Sequence, residues 1–187
     1  MIVAGIVVAC LCVCFFLYNN LISKKNEIEN AQGGLDASLK QRYDLIPNLV
    51  SSVKMYMKHE ASTLEKIVEL RSQGMKNNIS PKSKQEINQQ ISQGLSQIIL
   101  QAEQYPDLKS NTNFMDLQKS LYVVEENISA SRRFFNAAVT DYNNGIEMFP
   151  SSILARMMGL KRKMVFSIPE IEKQNVNVAN LFEDKAS

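Results

Sequence analysis

The chain has 187 residues, with 21 Lys and Arg against 19 Asp and Glu and no tryptophan. A net charge of +2 is too small to neutralise a run of phosphates, which excludes a nucleic-acid binder built on a basic stripe. With 5 prolines and 7 glycines, and polar residues that are mostly Gln, Asn, Lys, Glu and Ser, the composition favours helices over strands and is that of one all-α domain beside a membrane segment.

That segment comes first. MIVAGIVVACLCVCFFL holds no charged side chain, and the apolar character returns at Leu21 and Ile22 after Tyr18 and two asparagines. A helix needs roughly 20 residues to cross a hydrocarbon core. Residues 1–22 are therefore expected to form a transmembrane anchor, with Ile2, Val3, Ile6, Val7, Val8, Leu11, Val13, Phe15, Phe16 and Leu17 in lipid and Tyr18 at the interface. A cleaved signal peptide would begin with Lys or Arg, whereas the first side-chain cation here is Lys24. Cys10, Cys12 and Cys14 all lie inside the segment and are read as small apolar residues, since Val7-Val8-Ala9-Cys10 only faintly resembles a lipobox. Lys24 and Lys25 follow at once. By the positive-inside rule they place the N-terminus outside and the rest of the chain on the cytoplasmic side of the inner cell membrane.

Four helical stretches are expected next. The first, 18–40, carries Leu21, Ile22, Ile28, Leu35 and Leu39, with Gly33-Gly34 marking a bend or a close backbone approach. The second takes Asp44 as its N-cap and Pro47 in its first turn, runs to about Gln73, and is stopped by Gly74. The third opens with Ser80 as cap and Pro81 at the first helical position, and runs to about Gln104. Its stripe of Ile87, Ile91, Leu95, Ile98 and Ile99 is thin, so it is expected at the periphery. YPDLKSNTN specifies turns and offers Thr112 or Asn113 as the next cap. The fourth helix carries an unbroken heptad-type seam: Phe114, Leu121, Ile128, Phe135, Tyr142 and Phe149 on one side, and Leu117, Val124, Ser131, Ala138 and Gly145 on the other. The second row shrinks along the chain, so a neighbour approaches closest at the C-terminal end. Pro150 ends the helix.

The fold expected is all-α: an N-terminal transmembrane helix, then an up-and-down antiparallel bundle of four long helices. The chain divides into an anchor (1–22), a bundle (23–150) and a short basic amphipathic segment with a tail (151–187). An up-down-up-down path puts the loop near Gly74 and the segment after Pro150 at the bilayer, together with Lys24, Lys25, Lys76, Lys82, Lys84, Arg156, Lys161, Arg162 and Lys163. Lys24, Lys25, Arg156, Lys161, Arg162 and Lys163 are the expected membrane-surface or partner cations. ILARMMGLKRKMVF reads as an interfacial amphipathic element.

Residues for chemistry are scarce. His59 is the one histidine, and after His59-Glu60 the place of the second histidine of a zincin motif is taken by Thr63. No phosphate-cradling loop, cysteine pair or nucleophile elbow occurs, so no catalytic, metal or cofactor residue is expected and no small-molecule substrate is evident. The polar run interleaved with the fourth helix's seam has another use. Glu125, Glu126, Asn127, Arg132, Arg133 and Asn136 are expected to meet Arg42, Tyr43, Asp44 and Asn48 in a network that sets packing register.

The stretches LDASLKQRYDLIPNLVSSVKMYMKHEASTLEKI and YPDLKSNTNFMDLQKSLYVVEENISASRRFFNAAVTDYNNGIEMFPSSILARMMGL resemble the LemA family, over about residues 18–160. The resemblance implies a short external N-terminus, one membrane helix and a helical bundle, in a family of unsettled molecular function with some relatives implicated in organising bacterial membranes and magnetosomes. The chain departs from the family pattern at Gln32-Gly33, and its tail after Leu160 lacks the usual aromatic pair. The function expected is a non-enzymatic membrane scaffold that contacts the lipid bilayer and associates with itself or with another membrane protein. The alternative is an adaptor or sensor module for a membrane protease or an envelope signalling protein.

Overall fold

A computed structural model describes residues 1–76 and 78–166. Every regular element among the described residues is helical, and the expected arrangement of an N-terminal apolar helix leading into an antiparallel bundle is the one observed.

The first element, α1, is a single helix of 52 residues, Ile2–Val53. At 1.5 Å per residue it is about 78 Å long. Its N-terminal portion is long and apolar enough to cross a membrane. The helix does not end near Asp44 as expected, but passes straight through Pro47. Proline at position 47 has no N–H to donate to the Tyr43 carbonyl one turn earlier. That carbonyl instead accepts a hydrogen bond from Arg71 Nε of the next helix, at 2.7 Å. The tertiary contact satisfies what proline leaves open, so the helix persists for another turn and a half. Asp44 is an exposed surface residue paired with Lys40 at 3.0 Å. Arg71→Leu is expected to cost about 1–3 kcal/mol, the penalty for a buried carbonyl losing a charged donor. Thermal unfolding of the single variant, of Pro47→Ala and of the double variant checks this: the loss should shrink when residue 47 again carries an N–H, and equal losses in both backgrounds would disprove the coupling.

The chain reverses over 54–57, where Met57 is fully buried, and after a 3-10 turn at Lys58–Glu60 enters α2, Ala61–Gly74. Because α1 has taken the residues up to Val53, α2 has only 14 and returns about 21 Å. It stops at the level of Tyr43. A Cβ on Gly74 would lie 2.5 Å from the Tyr43 hydroxyl oxygen and 2.9 Å from its ring carbon Cζ, so the glycine is needed for close approach more than for stopping the helix. Gly33 and Gly34, by contrast, have no neighbour within 4 Å of where a Cβ would sit. The next helix, α3, Pro81–Ala102, is capped by Ser80, whose hydroxyl accepts from the Ser83 N–H. A one-turn helix, α4, Pro106–Lys109, leads to α5, Thr112–Glu147, which is 36 residues long and capped by Asn111, one residue before the expected positions. The chain turns at Met148 and closes with α6, Ser151–Met157.

The heptad-spaced faces of α1 and α5 meet along an antiparallel pair. Lys24 pairs with Asp141, Ser38 approaches Ser131 at 3.3 Å, and Arg42 pairs with Glu125 at 2.9 Å. Two cores follow from the short α2. In the part remote from the apolar segment, Leu35, Leu39, Ile46, Leu49 and Val53 pack with α2, α3, α4 and the first half of α5. Nearer that segment α2 and α3 are missing, and Leu21, Ile28 and Ala31 pack only with Phe135, Ala138, Val139, Tyr142, Ile146 and the residues that follow α5. The end of α2 and the start of α3 consequently stay well away from the apolar segment. Lys84 is paired with Asp36 at 2.7 Å, about 20 Å along α1 from Ile22, which corrects the expectation that Lys76, Lys82 and Lys84 gather with Lys24 and Lys25. Phe149, expected to end the core seam, is 81% exposed.

Candidate functional site at the apolar end of the bundle

Residues 158–166 form no helix, yet they are held along α5 where the bundle has only two helices. Asn143 Nδ2 donates to the Lys163 carbonyl and the Lys163 N–H donates to Asn143 Oδ1, both at 2.9 Å. One heptad earlier, Asn136 Nδ2 donates to the Phe166 carbonyl at 3.0 Å and the Phe166 N–H donates to Asn136 Oδ1 at 2.8 Å. Each amide thus pairs with an extended backbone as a neighbouring strand would. On the other side of Lys163 the Tyr142 hydroxyl donates to the Lys161 carbonyl at 3.3 Å. Burial pushes the Tyr142 phenol above its ordinary range, so it remains a protonated donor at neutral pH. The Phe166 ring then meets Phe135 edge-on with centroids 5.0 Å apart, an arrangement favoured by the ring quadrupoles. Asn136 was expected in a helix-register network; its actual partner is the tail. The part of the expected 151–187 segment beyond Phe166 lies outside the described residues.

This docking sets the height of the cations. Lys161 is brought level with the Lys24 to Asp141 pair, and Arg162 pairs with Glu147 at 2.8 Å. Lys25, Arg156, Lys161, Arg162 and Lys163 are exposed, and Lys24 is half-buried against Gly145, as the shrinking seam allows. The helix α6 sits beyond this cation level, beside the apolar segment itself. A groove of about 380 Å³ separates them, with Ala9, Val13 and Leu17 on one wall and Pro150, Leu154 and Met157 on the other. Ile2, Val3, Ile6, Val7, Val8, Leu11, Val13, Phe15 and Phe16 are exposed, and Leu17 is half-buried.

A second polar cluster lies higher, between α1, α3 and α5. Arg42 is fully buried at a core position. Its guanidinium donates to Glu125 at 2.9 Å, to Ser92 at 2.8 Å and to the Asn88 side chain, while the Tyr43 hydroxyl donates to the same Asn88 oxygen at 2.8 Å. Of the expected register network, Arg42, Tyr43 and Glu125 come together here, joined by Asn88 and Ser92. Glu126 accepts from the Tyr122 hydroxyl on the surface, Arg133 donates to Ser129 along its own helix, Asn48 is exposed, and Arg132 is half-buried. Asn88, Ser92 and Asn143 were missed. The signal for Asn143 was its spacing of seven from Asn136 on one face of α5, whereas nothing local marks Asn88 and Ser92 as partners of Arg42. His59 is exposed in the 3-10 turn, and no group of three His, Cys, Asp or Glu side chains that could hold a metal occurs among the described residues.

Comparison with known proteins adds to this geometry. Protein LemA of Metamycoplasma hominis is 29% identical over 171 residues, which cover 89% of this chain and 78% of that protein. Magnetosome proteins MamQ 1 and MamQ 2 of Paramagnetospirillum magneticum are each 21% identical over 203 residues, covering 95% of this chain and 75% of each of them. The LemA family model matches residues 31–179, a span that takes in Arg42 and its partners, the whole of α5 with the part of α1 from Ala31 onward, and the asparagines that hold the tail. On that match, which covers most of the chain, this protein belongs to the LemA family.

Proposed function

We propose that the protein is a scaffold without catalytic activity, anchored in the inner membrane by residues 1–22 with the bundle in the cytoplasm, where it organises the membrane by associating with itself. The observation that carries this reading is the continuity of α1: the apolar segment and the bundle share one helix, with no linker between them. A bundle on a rigid stalk keeps a constant height and tilt at the bilayer, which suits repeated assembly better than a bundle swinging on a tether. Lys24 and Lys25 after the anchor support the orientation. For contact with a second copy, the outer face of α5 exposes Tyr122, Val123 and Phe134, and a groove of about 700 Å³ opens between α3 and α5 beside Tyr122. The magnetosome relatives lend the membrane-organising reading further weight.

The test is the mass of the particle in mild detergent. The full-length chain is expected to run as a homo-oligomer, and a chain beginning at Ser23 as a smaller species. A monomer in both cases sinks self-assembly and favours the adaptor reading, in which one specific membrane protein copurifies with the full-length chain.

A further inference from the structure

Resting on the membrane-anchored reading, we propose that α6 is itself a membrane element, lying inside the lipid leaflet beside the anchor with its exposed apolar side chains among acyl chains. The geometry leaves little choice. Residues 9–17 rise about 12 Å along α1, and α6 lies against them across the shared groove. A bilayer that encloses this part of the anchor encloses α6 as well. The alternative is to end the membrane portion of the anchor before Ala9, which would leave far too little apolar helix to span. With the headgroup level at Lys24 instead, residues 2–22 rise about 30 Å, the thickness of a hydrocarbon core.

The side chains agree with that placement. Phe149 and Met157 are each 81% exposed, Met148 63% and Ile153 58%, although Ala155 on the opposite side of α6 is buried. A helix of a water-soluble bundle presents polar residues on its outer side; α6 and the turn before it present mainly apolar ones, with Arg156 as the charged exception, beside the uncovered surface of the anchor. The charges lie where lipid headgroups would meet them. Tyr142 holds Lys161 at the level of Lys24, and Glu147, which would otherwise bring a bare carboxylate to the interface, is paired with Arg162. Arg156, the one charged residue of α6, has a side chain long enough to reach from the leaflet to the phosphates. The protein therefore enters one leaflet with two elements and the other with one, and basic side chains mark the plane between α6 and the bundle.

Because the chain has no tryptophan, a single introduced indole reports its own depth. The full-length variants Phe149→Trp and Met157→Trp are to be reconstituted in phosphatidylcholine vesicles containing phosphatidylglycerol, with lipids brominated along the acyl chains as quenchers. Val13→Trp serves as the in-membrane standard and Met55→Trp, at the remote tip of the bundle, as the aqueous one. The expected result is blue-shifted emission at 149 and 157, with a loss of intensity on bromination as large as that at 13. If 13 is quenched while 149 and 157 behave like 55, α6 lies outside the leaflet and the proposal is overturned with the anchor intact. Blue-shifted emission at 149 and 157 without quenching means that protein covers α6, and overturns it equally. An unquenched indole at 13 overturns the membrane-anchored reading itself.

Discussion

Arg42→Ala is expected to destabilise the bundle by about 3–5 kcal/mol, the usual cost of removing one partner from a buried charged network. The guanidinium is fully buried where α1, α3 and α5 meet, and it joins Asn88 and Ser92 on one side with Glu125 on the other, to which Ser92 Oγ also donates at 3.3 Å. Alanine leaves a cavity and strips Asn88 Oδ1 of all donors but Tyr43. At about 2–4 °C per kcal/mol for a domain of this size, the midpoint of thermal unfolding followed by circular dichroism should fall by roughly 10 °C. Arg42→Lys should recover only part of the loss, because a single ammonium cannot span the three acceptors that a planar fork reaches. Glu125→Gln should also be destabilising, because it leaves the fully buried guanidinium without its counter-charge, although the amide oxygen keeps one acceptor in place. An Arg42→Ala midpoint equal to that of the parent would show that the cluster is not coupled to folding. The same residue opposes misregister: sliding α1 by one heptad against α5 would carry its charge to a place now filled by leucine.

The second large effect concerns the tail. Asn136→Ala with Asn143→Ala removes four hydrogen bonds between α5 and residues 163 and 166. At about 1 kcal/mol net each, the docked state loses about 4 kcal/mol. Hydrogen exchange should therefore quicken by a hundred-fold or more, on the order of two to three decades, at the Lys163 and Phe166 amides. Amides within α1 and α5 should change little, because the helix pair keeps its own seam. Each single variant should lose about half of the free energy. Equal acceleration throughout α5 would show instead that the tail and the two-helix portion unfold as one unit.

How legible these features were differs with the range of the forces behind them. The α5 seam, the Ser80-Pro81 start of α3 and the uncharged first turns of α1 are local patterns, and each appears where the residues place it. Arg42 also left a trace, since Leu21, Ile28, Leu35, Arg42 and Leu49 recur every seven residues and all are buried. That row, followed along its whole length, carries an arginine into the core on periodicity alone. Pro47 misled for a physical reason: the bond it removes is visible in the chain, but Arg71, which satisfies the freed carbonyl, lies on another helix.

That one misplaced boundary had long consequences. With α1 extended to Val53, α2 shortens, the start of α3 remains far from the apolar segment, and the space left beside α1 and α5 goes to the tail. The sequence by itself determined the helical class, the apolar segment and the faces that α1 and α5 turn to each other, because periodicity and propensity act over one or two turns. Only the tertiary structure decided that Asn136 and Asn143 grip a backbone, that Arg42 reaches Asn88 and Ser92, and that α6 lies beside the apolar segment. Those depend on the antiparallel register of two long helices, which brings residues more than a hundred positions apart to the same height.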